Sequence, residues 1–327
     1  MNIRIQQTGL EHVIDVRSAT DVQAIPLRRP WRWISAVVVL LVVALFIESL
    51  ATNENIDYPV IGRYLLDTRI LSGVWLTLVL TVLSMVVSTL LAIFIAAMRL
   101  STNPVLSGTS WLYVWLFRGT PLLVQIVLWG YLGLLYSRLS VGVPLTDVVF
   151  FSVDTNSIIT AFVAGFLALT LNEAAYSSEI VRAGMLSVDE GQREAAYSLG
   201  MSPIYTFGKI LLPQAMRVII PPMGNELISM LKNTSLLSVI AVLELYTQAS
   251  LISSQNLRQV ELLIVVSVWY LFMTSVLSIP QYYLERRFGR GASRNLPPTP
   301  IQRLKRFLAD RKAPATPSAA SLEVDAT

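Results

Sequence analysis

The longest uncharged stretch of the sequence, Leu71–Met98, is the feature that most constrains the fold. A transmembrane helix needs about 20 consecutive apolar residues, so this run is long enough to cross a bilayer at a tilt. Hydrophobic residues make up 54% of the chain and charged residues only 14%, whereas soluble domains are roughly a quarter charged. The sequence therefore predicts an all-α membrane protein and excludes an ordinary soluble enzyme.

Apolar runs along the whole chain predict about six spans. The predicted spans are Trp33–Leu50, Leu71–Met98, Trp111–Tyr136, Ile158–Ile180, a segment within Met216–Leu245, and Leu262–Tyr283. The fifth contains Pro221 and Pro222 near its start, and it also carries Glu226 and Lys232, whose charges would be costly in contact with lipid. We therefore expect a bent helix that is buried in protein at this point.

The positions of lysine and arginine orient the spans, because short basic flanks are retained in the cytoplasm. The basic flanks are Arg28, Arg29 and Arg32 before the first span, Arg99 and Arg118 between the second and third, Arg182, Arg193, Lys209 and Arg217 between the fourth and fifth, and Arg286, Arg287, Arg290 and Arg294 after the sixth. We expect a multi-pass membrane protein with both termini in the cytoplasm. These cations account for the net charge of +4. The sequence shows no basic groove with interleaved aromatic residues, so we expect no nucleic-acid partner.

The sequence lacks the residues that most catalytic and metal sites need. It contains no cysteine and a single histidine, His12, which excludes disulfides, thiolate or histidine metal clusters, and cysteine nucleophiles. No constellation of acid, base and nucleophile stands out at one depth. We expect neither an enzyme nor a metal-binding protein.

The loop after the fourth span predicts two short helices joined at a fixed elbow. Ser187 followed by Glu190 fits a capping box, in which each side chain satisfies a backbone donor at a helix start. Gly200 suits the left-handed position that ends a helix. Ser202 and Pro203 are then typical of the cap and first residue of the next helix.

The first of these two helices has the properties of a docking element. Ala195 and Ala196 give it a face of little bulk that can approach another protein closely, and Arg193 and Glu194 offer directional polar contacts beside that face. The alternative is a solvated amphipathic turn.

Several polar residues within spans indicate a substrate pathway, because buried polar groups in a membrane mark such pathways by default. Asn172, Tyr176 and Glu179 share one helical face of the fourth span, with Glu173 beside them. Acceptors of this kind could hold the ammonium group of an amino acid. For Glu179 the alternative is an ion pair with Arg182 near the membrane surface.

Two further segments carry open alternatives. Asn233 and Ser235, next to Lys232, could meet a carboxylate, or could mark a structural break in the fifth span. Arg118, Thr120 and Pro121 could gate the pathway, or could serve as a basic anchor followed by a helix bend.

Four motifs, in a fixed order along the chain, carry a family resemblance. They are Phe117-Arg118-Gly119-Thr120-Pro121-Leu122-Leu123-Val124-Gln125, Ala175-Tyr176-Ser177-Ser178-Glu179-Ile180-Val181-Arg182, Glu194-Ala195-Ala196 followed by Gly200, and Lys232-Asn233-Thr234-Ser235-Leu236. Over roughly residues 70–287 the chain resembles the type I permease subunits of bacterial ABC importers. Within these, it is similar to the polar amino acid (histidine- and glutamine-type) family.

The resemblance implies a type I importer fold with a five-span core, to which the first span is an addition. It also implies a location in the bacterial inner (cytoplasmic) membrane. The residues it implies for coupling to a separate ATPase are Arg193, Glu194, Ala195, Ala196, Leu199 and Gly200. Two such ATPase subunits would carry the ATP and magnesium, and this chain would bind no cofactor. A second permease subunit, identical or homologous, would complete the pathway, and an extracytoplasmic binding protein would deliver the amino acid.

The expected organisation has four parts. These are a cytoplasmic tail (1–32), the additional span with an external loop (33–60), the permease domain (61–287) with its coupling loop at 187–206, and a disordered cytoplasmic tail (288–327). The alternative function is a secondary amino acid transporter driven by an ion gradient, which would favour two similar halves that the sequence does not show. The motifs leave the substrate open, although Glu173 favours a cationic or zwitterionic amino acid.

Overall fold

The computed structural model describes residues 30–143 and 148–288. These residues belong to two compact units that divide between Ile56 and Asp57. Outside the described residues lie most of the predicted terminal tails (1–29 and 289–327) and the flanking cations Arg28, Arg29, Arg290 and Arg294.

The first unit is built on one long helix, α1 (Pro30–Ala51). Its sequence carries no charge between Trp33 and Ile47, so it is hydrophobic all round, as a membrane span is. The backbone N–H and the hydroxyl of Thr52 both donate to the carbonyl of Glu48, each at 2.9 Å, and close its last turn. The helix confirms the predicted first span.

The second unit is mainly helical and contains one short antiparallel hairpin among its described residues. Its elements are α2 (Tyr58–Leu65), α3 (Thr68–Arg99), α4 (Pro104–Gly119), α5 (Leu122–Gly130), α6 (Leu132–Leu135), β1 (Arg138–Gly142), β2 (Val149–Asp154), α7 (Thr155–Ile158), α8 (Ala161–Leu186), α9 (Glu190–Ser198), α10 (Pro203–Thr206), a π-helical turn (Phe207–Leu211), α11 (Leu212–Asn233), a 3₁₀ segment (Thr234–Ile240), α12 (Leu245–Asn256) and α13 (Gln259–Phe288). The predicted second and sixth spans are confirmed as α3 and α13. The predicted fourth span coincides with a helix, α8, which is not among the candidate membrane spans of the described residues. The β1–β2 hairpin was not predicted.

Helices α3 and α8 pack along each other at the centre of this unit, with α11 against both. The buried positions of α3 and α8 are mostly small residues, including serine, alanine and threonine. Small side chains let helix backbones approach closely in a membrane, where there is little hydrophobic force to bring helices together. At Gly73, a Cβ atom would lie 2.8 Å from the Cα of Leu245, so α3 and α12 are in backbone contact there.

The predicted third span, Trp111–Tyr136, is wrong as one continuous helix. The chain bends by 99° between α4 and α5. Pro121 has no backbone N–H to continue the helix, and it drives the preceding residue away from helical geometry. Thr120 accordingly has extended angles, φ −114° and ψ 142°. The two helices together make one broken span that begins seven residues earlier than expected, at Pro104.

The predicted bent fifth span is confirmed, but its break lies later than the prolines. Pro221 and Pro222 lie inside α11, where the amide of Gln281 on α13 donates to the carbonyl of Pro221 at 3.0 Å. The break follows the 3₁₀ segment at Ala241, whose φ of 57° is left-handed, and α12 leaves it at 45°. Neighbouring helices that supply polar partners allow prolines to remain in spans.

A buried carboxylate fixes this break. Glu244 is fully buried and caps α12, where its carboxylate accepts hydrogen bonds from the backbone N–H groups of Tyr246 (3.0 Å) and Thr247 (2.7 Å). The hydroxyl groups of Thr247 (2.9 Å) and Tyr270 (3.0 Å) also donate to it. The Tyr270 bond ties the break to α13.

Candidate functional site

A groove of about 420 Å³ opens where α4 and α8 meet the end of α3. Its lining includes Arg99 from α3, Trp111, Trp115 and Arg118 from α4, and Tyr176 and Glu179 from α8. Three of these residues, Arg118, Tyr176 and Glu179, belong to two of the sequence motifs described above. The fold brings them to one surface.

Arg118 and Tyr176 are in direct contact across the groove. The guanidinium carbon of Arg118 lies 5.0 Å from the centroid of the Tyr176 ring, within the range of a cation–π interaction. Because α4 ends immediately after Arg118, this contact holds the end of α4 against α8. Arg118 therefore lies beside the helix break. The positive-inside rule placed it next to the short turn between the second and third spans, but it lies at the opposite end of α4 from that turn.

Glu179 adds a carboxylate to the groove, and its sequence-based alternative is confirmed. One carboxylate oxygen accepts from Arg182 Nη2 at 2.7 Å and from Arg182 Nε at 3.0 Å. The carboxylate side chain keeps 20% of its surface exposed, so the same group lines the groove and remains open to a further donor.

Asn172 does not face the groove, although the helical face predicted for it is shared with Tyr176. Its amide nitrogen donates to the carbonyl of Phe117 and to Oε1 of Gln125, both at 3.1 Å. The amide of Gln125 in turn donates to Phe117 O (2.9 Å), Thr120 O (3.1 Å) and Thr120 Oγ1 (2.7 Å). The carbonyl groups that the α4–α5 break leaves without helical partners are thus satisfied by two side-chain amides.

Two further carboxyl groups, on α8 and α11, lie outside the residues that line the groove. Glu173 is buried, and its Oε1 accepts from the hydroxyl of Ser177 at 2.6 Å. Glu226 on α11 is half-buried and interacts electrostatically with both Glu173 and Arg118. The broken span, α8 and α11 therefore contribute one guanidinium group and two carboxyl groups to a single cluster.

Asn233 and Ser235 lie at the junction of α11 and the 3₁₀ segment, apart from the residues that line the groove. The hydroxyl of Ser235 donates to the carbonyl of Lys232 at 2.7 Å. This bond favours the structural alternative for Ser235, the break in the fifth span.

The predicted capping box at the start of α9 is wrong. Ser187 is still in helical geometry, and its hydroxyl donates back to the carbonyl of Gly184 at 2.7 Å. The cap of α9 is Asp189, whose carboxylate accepts from the backbone N–H of Gly191 at 2.8 Å. A serine in the last turn of a helix can bond to a carbonyl of the preceding turn, and here this bond outweighs the cap.

The elbow after α9 is confirmed. Gly200 has a φ of 75°, and its N–H donates to Tyr197 O at 2.9 Å while that of Met201 donates to Ala196 O at 3.1 Å. These are the two hydrogen bonds of a Schellman motif. Ser202 then caps α10, which begins at the adjacent proline.

The faces of α9 separate the predicted coupling residues into two groups. Glu194, Ala195 and Leu199 are exposed, with Leu199 at 82%. Arg193 is also exposed and forms an ion pair with Glu190. Ala196 is only 1% exposed, because α9 packs on α10 and the π-helical turn. The prediction that both alanines form the outer face is therefore wrong for Ala196.

Three residues of the groove and its surroundings were not among the predicted site residues. Of these, Trp115 lines the groove. Gln125 and Glu226 were named only as parts of a motif and of a span. A glutamine within an otherwise apolar helix was the signal that could have identified Gln125, since its amide needs partners when it is buried.

Comparison with known proteins adds the family context. A family described as "Binding-protein-dependent transport system inner membrane component" matches residues 88–290. The chain is 46% identical over 277 residues to "Arginine transport system permease protein ArgU" of Corynebacterium glutamicum, covering 84% of this chain and 85% of that protein. It is 38% identical to "L-cystine transport system permease protein TcyB" of Bacillus subtilis, covering 67% of this chain and 86% of that protein.

A solved structure supports the same relationship. The crystal structure described as "an amino acid ABC transporter with histidines" has a chain that is 35% identical to this one. The match has a TM-score of 0.60 and covers 71% of this chain and 99% of that chain.

Proposed function

Because the chain belongs to the family of binding-protein-dependent transport system inner membrane components and is a permease subunit of an amino acid ABC importer, we propose that its substrate is a cationic amino acid of the arginine class. The observation that carries this proposal is the groove in which Arg118 and Glu179 line one surface. The name of the arginine permease relative supports the same substrate class.

The groove offers complementary groups to both ends of such a substrate. An amino acid carries a carboxylate that Arg118 can bind through its planar guanidinium, which is suited to carboxylate recognition. A cationic side chain can interact with the exposed part of Glu179. Glu226 interacts electrostatically with Arg118 beside it. Trp111 and Trp115 are stacked, with centroids 6.2 Å apart and planes 12° apart, and their faces favour a guanidinium.

The proposed coupling surface lies on the exposed side of α9. Arg193, Glu194, Ala195 and Leu199 would contact the ATPase subunit, whereas Ala196 and Gly200 fix the shape of the elbow. A capped helix that ends in a Schellman motif transmits displacement without bending. In this proposal two ATPase subunits hold the ATP and magnesium.

The proposed assembly places the α9 loop in the cytoplasm, together with both termini, in the bacterial inner membrane. A second permease subunit, identical or homologous, completes the pathway, and an extracytoplasmic binding protein delivers the amino acid. The arrangement of basic flanks around the spans supports this orientation. The additional N-terminal span and the domain bounds stay predictions from the sequence.

The substrate proposal is tested by uptake into proteoliposomes that contain the complete transporter and its binding protein. Radiolabelled arginine uptake should be inhibited by excess unlabelled arginine or lysine, and not by glutamine or glutamate. Uptake of neutral or acidic amino acids without arginine uptake would contradict it.

A matched pair of variants then tests the carboxyl cluster that interacts with Arg118. Glu226→Gln removes a carboxyl group from the cluster and should raise the KM for arginine, with a smaller effect on the maximal rate. Glu54→Gln removes the same charge from an exposed position outside the lining residues and serves as the control. Equal KM values for the two variants would remove Glu226 from the pathway.

A further inference from the structure

Helix α11 is weakened at one turn between the α9 loop and Glu226. Pro221 and Pro222 lie inside this helix, and they have no backbone N–H to donate to the carbonyls of Arg217 and Val218 in the α-helical pattern. Prolines are a common cause of bending in long helices. The backbone hydrogen bonds of α11 therefore do not by themselves fix Glu226 relative to the start of the helix.

The first part of α11 is held by α8. Ala215 and Ile219 are buried, and a Cβ atom at Gly184 of α8 would collide with the side chain of Ile219. The two helices that flank the α9 loop are thus in close contact just before the prolines. Beyond them the packing is less tight, because none of the described residues 220–229 is buried.

Gln281 of α13 supports α11 at the proline turn itself. Its side chain is only 7% exposed, and its Nε2 donates to the carbonyl of Pro221 at 3.0 Å. A Cβ atom at Gly224 would collide with the same amide, so the lack of a side chain at position 224 gives the amide access to the backbone of α11. The amide therefore lies against the turn that the prolines weaken.

Glu285, one turn further along α13, orients this amide. Its Oε1 accepts a second hydrogen bond from Nε2 of Gln281, at 2.8 Å. A backbone carbonyl and a carboxylate are both acceptors, so the end of the amide that meets them must be the nitrogen. A side chain that cannot donate could not replace Gln281 at this point.

We propose that Gln281 is a positioning residue for transport, which holds the proline turn of α11 against α13 and thereby keeps Glu226 beside Arg118. Glu226 follows Gly224 by two residues and interacts electrostatically with Arg118 and Glu173. Gln281 is not among the residues that line the groove, so its effect on the substrate passes through Glu226. The proposal rests on the proposed function in one respect, the use of this cluster in amino acid binding.

A spin label tests the hold on α11 without any transport. The sequence has no cysteine, so Asn225→Cys, at an exposed position beside Glu226, takes one nitroxide per chain. Gln281→Met keeps a side chain of similar length without the amide, and Gly224→Ala displaces the amide from the α11 side. Both should increase the mobility of the label in the reconstituted complex, measured by paramagnetic resonance. Gly62→Ala is the control, since nothing lies within 4 Å of its added Cβ.

Uptake kinetics test whether Gln281 acts through Glu226. Gln281→Met should raise the KM for arginine several-fold, with a smaller effect on the maximal rate, as expected for Glu226→Gln. The double variant should raise the KM no further than Glu226→Gln alone, because a positioning residue has no effect once the residue that it positions is changed. A merely structural role would lower the maximal rate through loss of active protein, and its effect would add to that of Glu226→Gln.

The outcomes separate this proposal from the proposed function. Unchanged label mobility in both Gln281→Met and Gly224→Ala, or additive effects of Gln281→Met and Glu226→Gln on the KM, would overturn the role of Gln281. Greater mobility together with an unaltered KM in Glu226→Gln would support the hold on α11 and contradict the use of Glu226 in substrate binding. Failure of the wild-type complex to take up arginine would contradict the substrate proposal alone, since the label needs no substrate.

Discussion

The side-chain amides of Asn172 and Gln125 meet in a hydrogen bond of 3.1 Å, which joins the middle of α8 to the first half of α5. Both amides also donate to the carbonyl of Phe117, which lies in the last turn of α4. One pair of residues thus fixes a 99° bend in a broken span and determines where Arg118 lies.

We expect Asn172→Ala and Gln125→Ala to destabilise the protein together less than the sum of their separate effects. Each removal leaves a buried amide or carbonyl without a partner, at a cost of about 1–3 kcal/mol, and the second removal eliminates a group that is already unpaired. Unfolding of the four proteins of this double-mutant cycle in mixed detergent micelles measures the coupling. Strictly additive effects would mean that the pair does not act as one unit.

The two adjacent alanines of α9 should respond in opposite ways to enlargement. Ala196→Leu forces bulk into a site that is 1% exposed and should lower stability by about 1–3 kcal/mol, as overpacking does. Ala195→Leu adds the same bulk at an exposed position and should leave stability unchanged while weakening association with the ATPase. Thermal unfolding and co-purification of the ATPase separate the two effects. Reduced ATPase binding without any loss of stability in Ala196→Leu would contradict the inward orientation of Ala196.

The sequence predicts well where a property is local. Hydrophobic runs located the spans α1, α3 and α13, since one crossing requires a length of apolar chain that few other structures need. Turn chemistry placed the elbow, because Gly200 and the Ser202 cap act through their own backbone neighbours.

The sequence predicts less well where a residue depends on distant partners. At the break before Pro121, the carbonyl of Phe117 accepts a hydrogen bond from Asn172, which lies 51 residues after Pro121. The hydropathy of Trp111–Tyr136 does not indicate that bond. Ser187 could bond forward or backward with equal local plausibility, and the helix already formed by α8 decided between them. Helical spacing put Asn172 on the face of Tyr176, but the end of α4 occupies that part of the face.

The functional class followed from the motifs rather than from the composition. Apolar spans with buried carboxylates are common to importers and to gradient-driven transporters. The motif around Glu194 and Gly200 favoured the importer, and family membership decides between the two. The proposed substrate class rests on the groove, because Arg118 and Glu179 come from segments that are adjacent only in the folded chain.

Replacement of Gly200 by valine should abolish transport without preventing membrane insertion. The left-handed φ of 75° costs roughly 1–2 kcal/mol in a residue with a Cβ atom, and more in a β-branched one, so the Schellman motif should open and α9 should lose its fixed direction. Gly208→Ala is the matched control, since nothing lies within 4 Å of its added Cβ and its φ is not left-handed. Amino acid uptake and the amount of protein in the membrane fraction are measured together. Full uptake by the Gly200→Val variant would exclude a coupling role for the elbow.

Two variants test the break between α11 and α12. Tyr270→Phe removes a single hydrogen bond to Glu244, and Glu244→Ala removes the whole carboxylate. The tyrosine variant removes one hydrogen bond of four to the Glu244 carboxylate, and bonds between membrane helices contribute about 0.6 kcal/mol on average, so a small loss of stability is expected. The alanine variant leaves the buried N–H groups of Tyr246 and Thr247 and the hydroxyl of Tyr270 without their acceptor, so the loss of stability should be several times larger.

Glu244→Gln distinguishes charge from hydrogen bonding, because the amide oxygen can still accept from Thr247 while the NH₂ group cannot accept from Tyr246. Intermediate stability is therefore expected for glutamine, measured by unfolding in mixed micelles. If glutamine were as stable as the wild type and alanine only as weak as Tyr270→Phe, the carboxylate would not be what fixes this break, and the left-handed Ala241 would have to hold it alone.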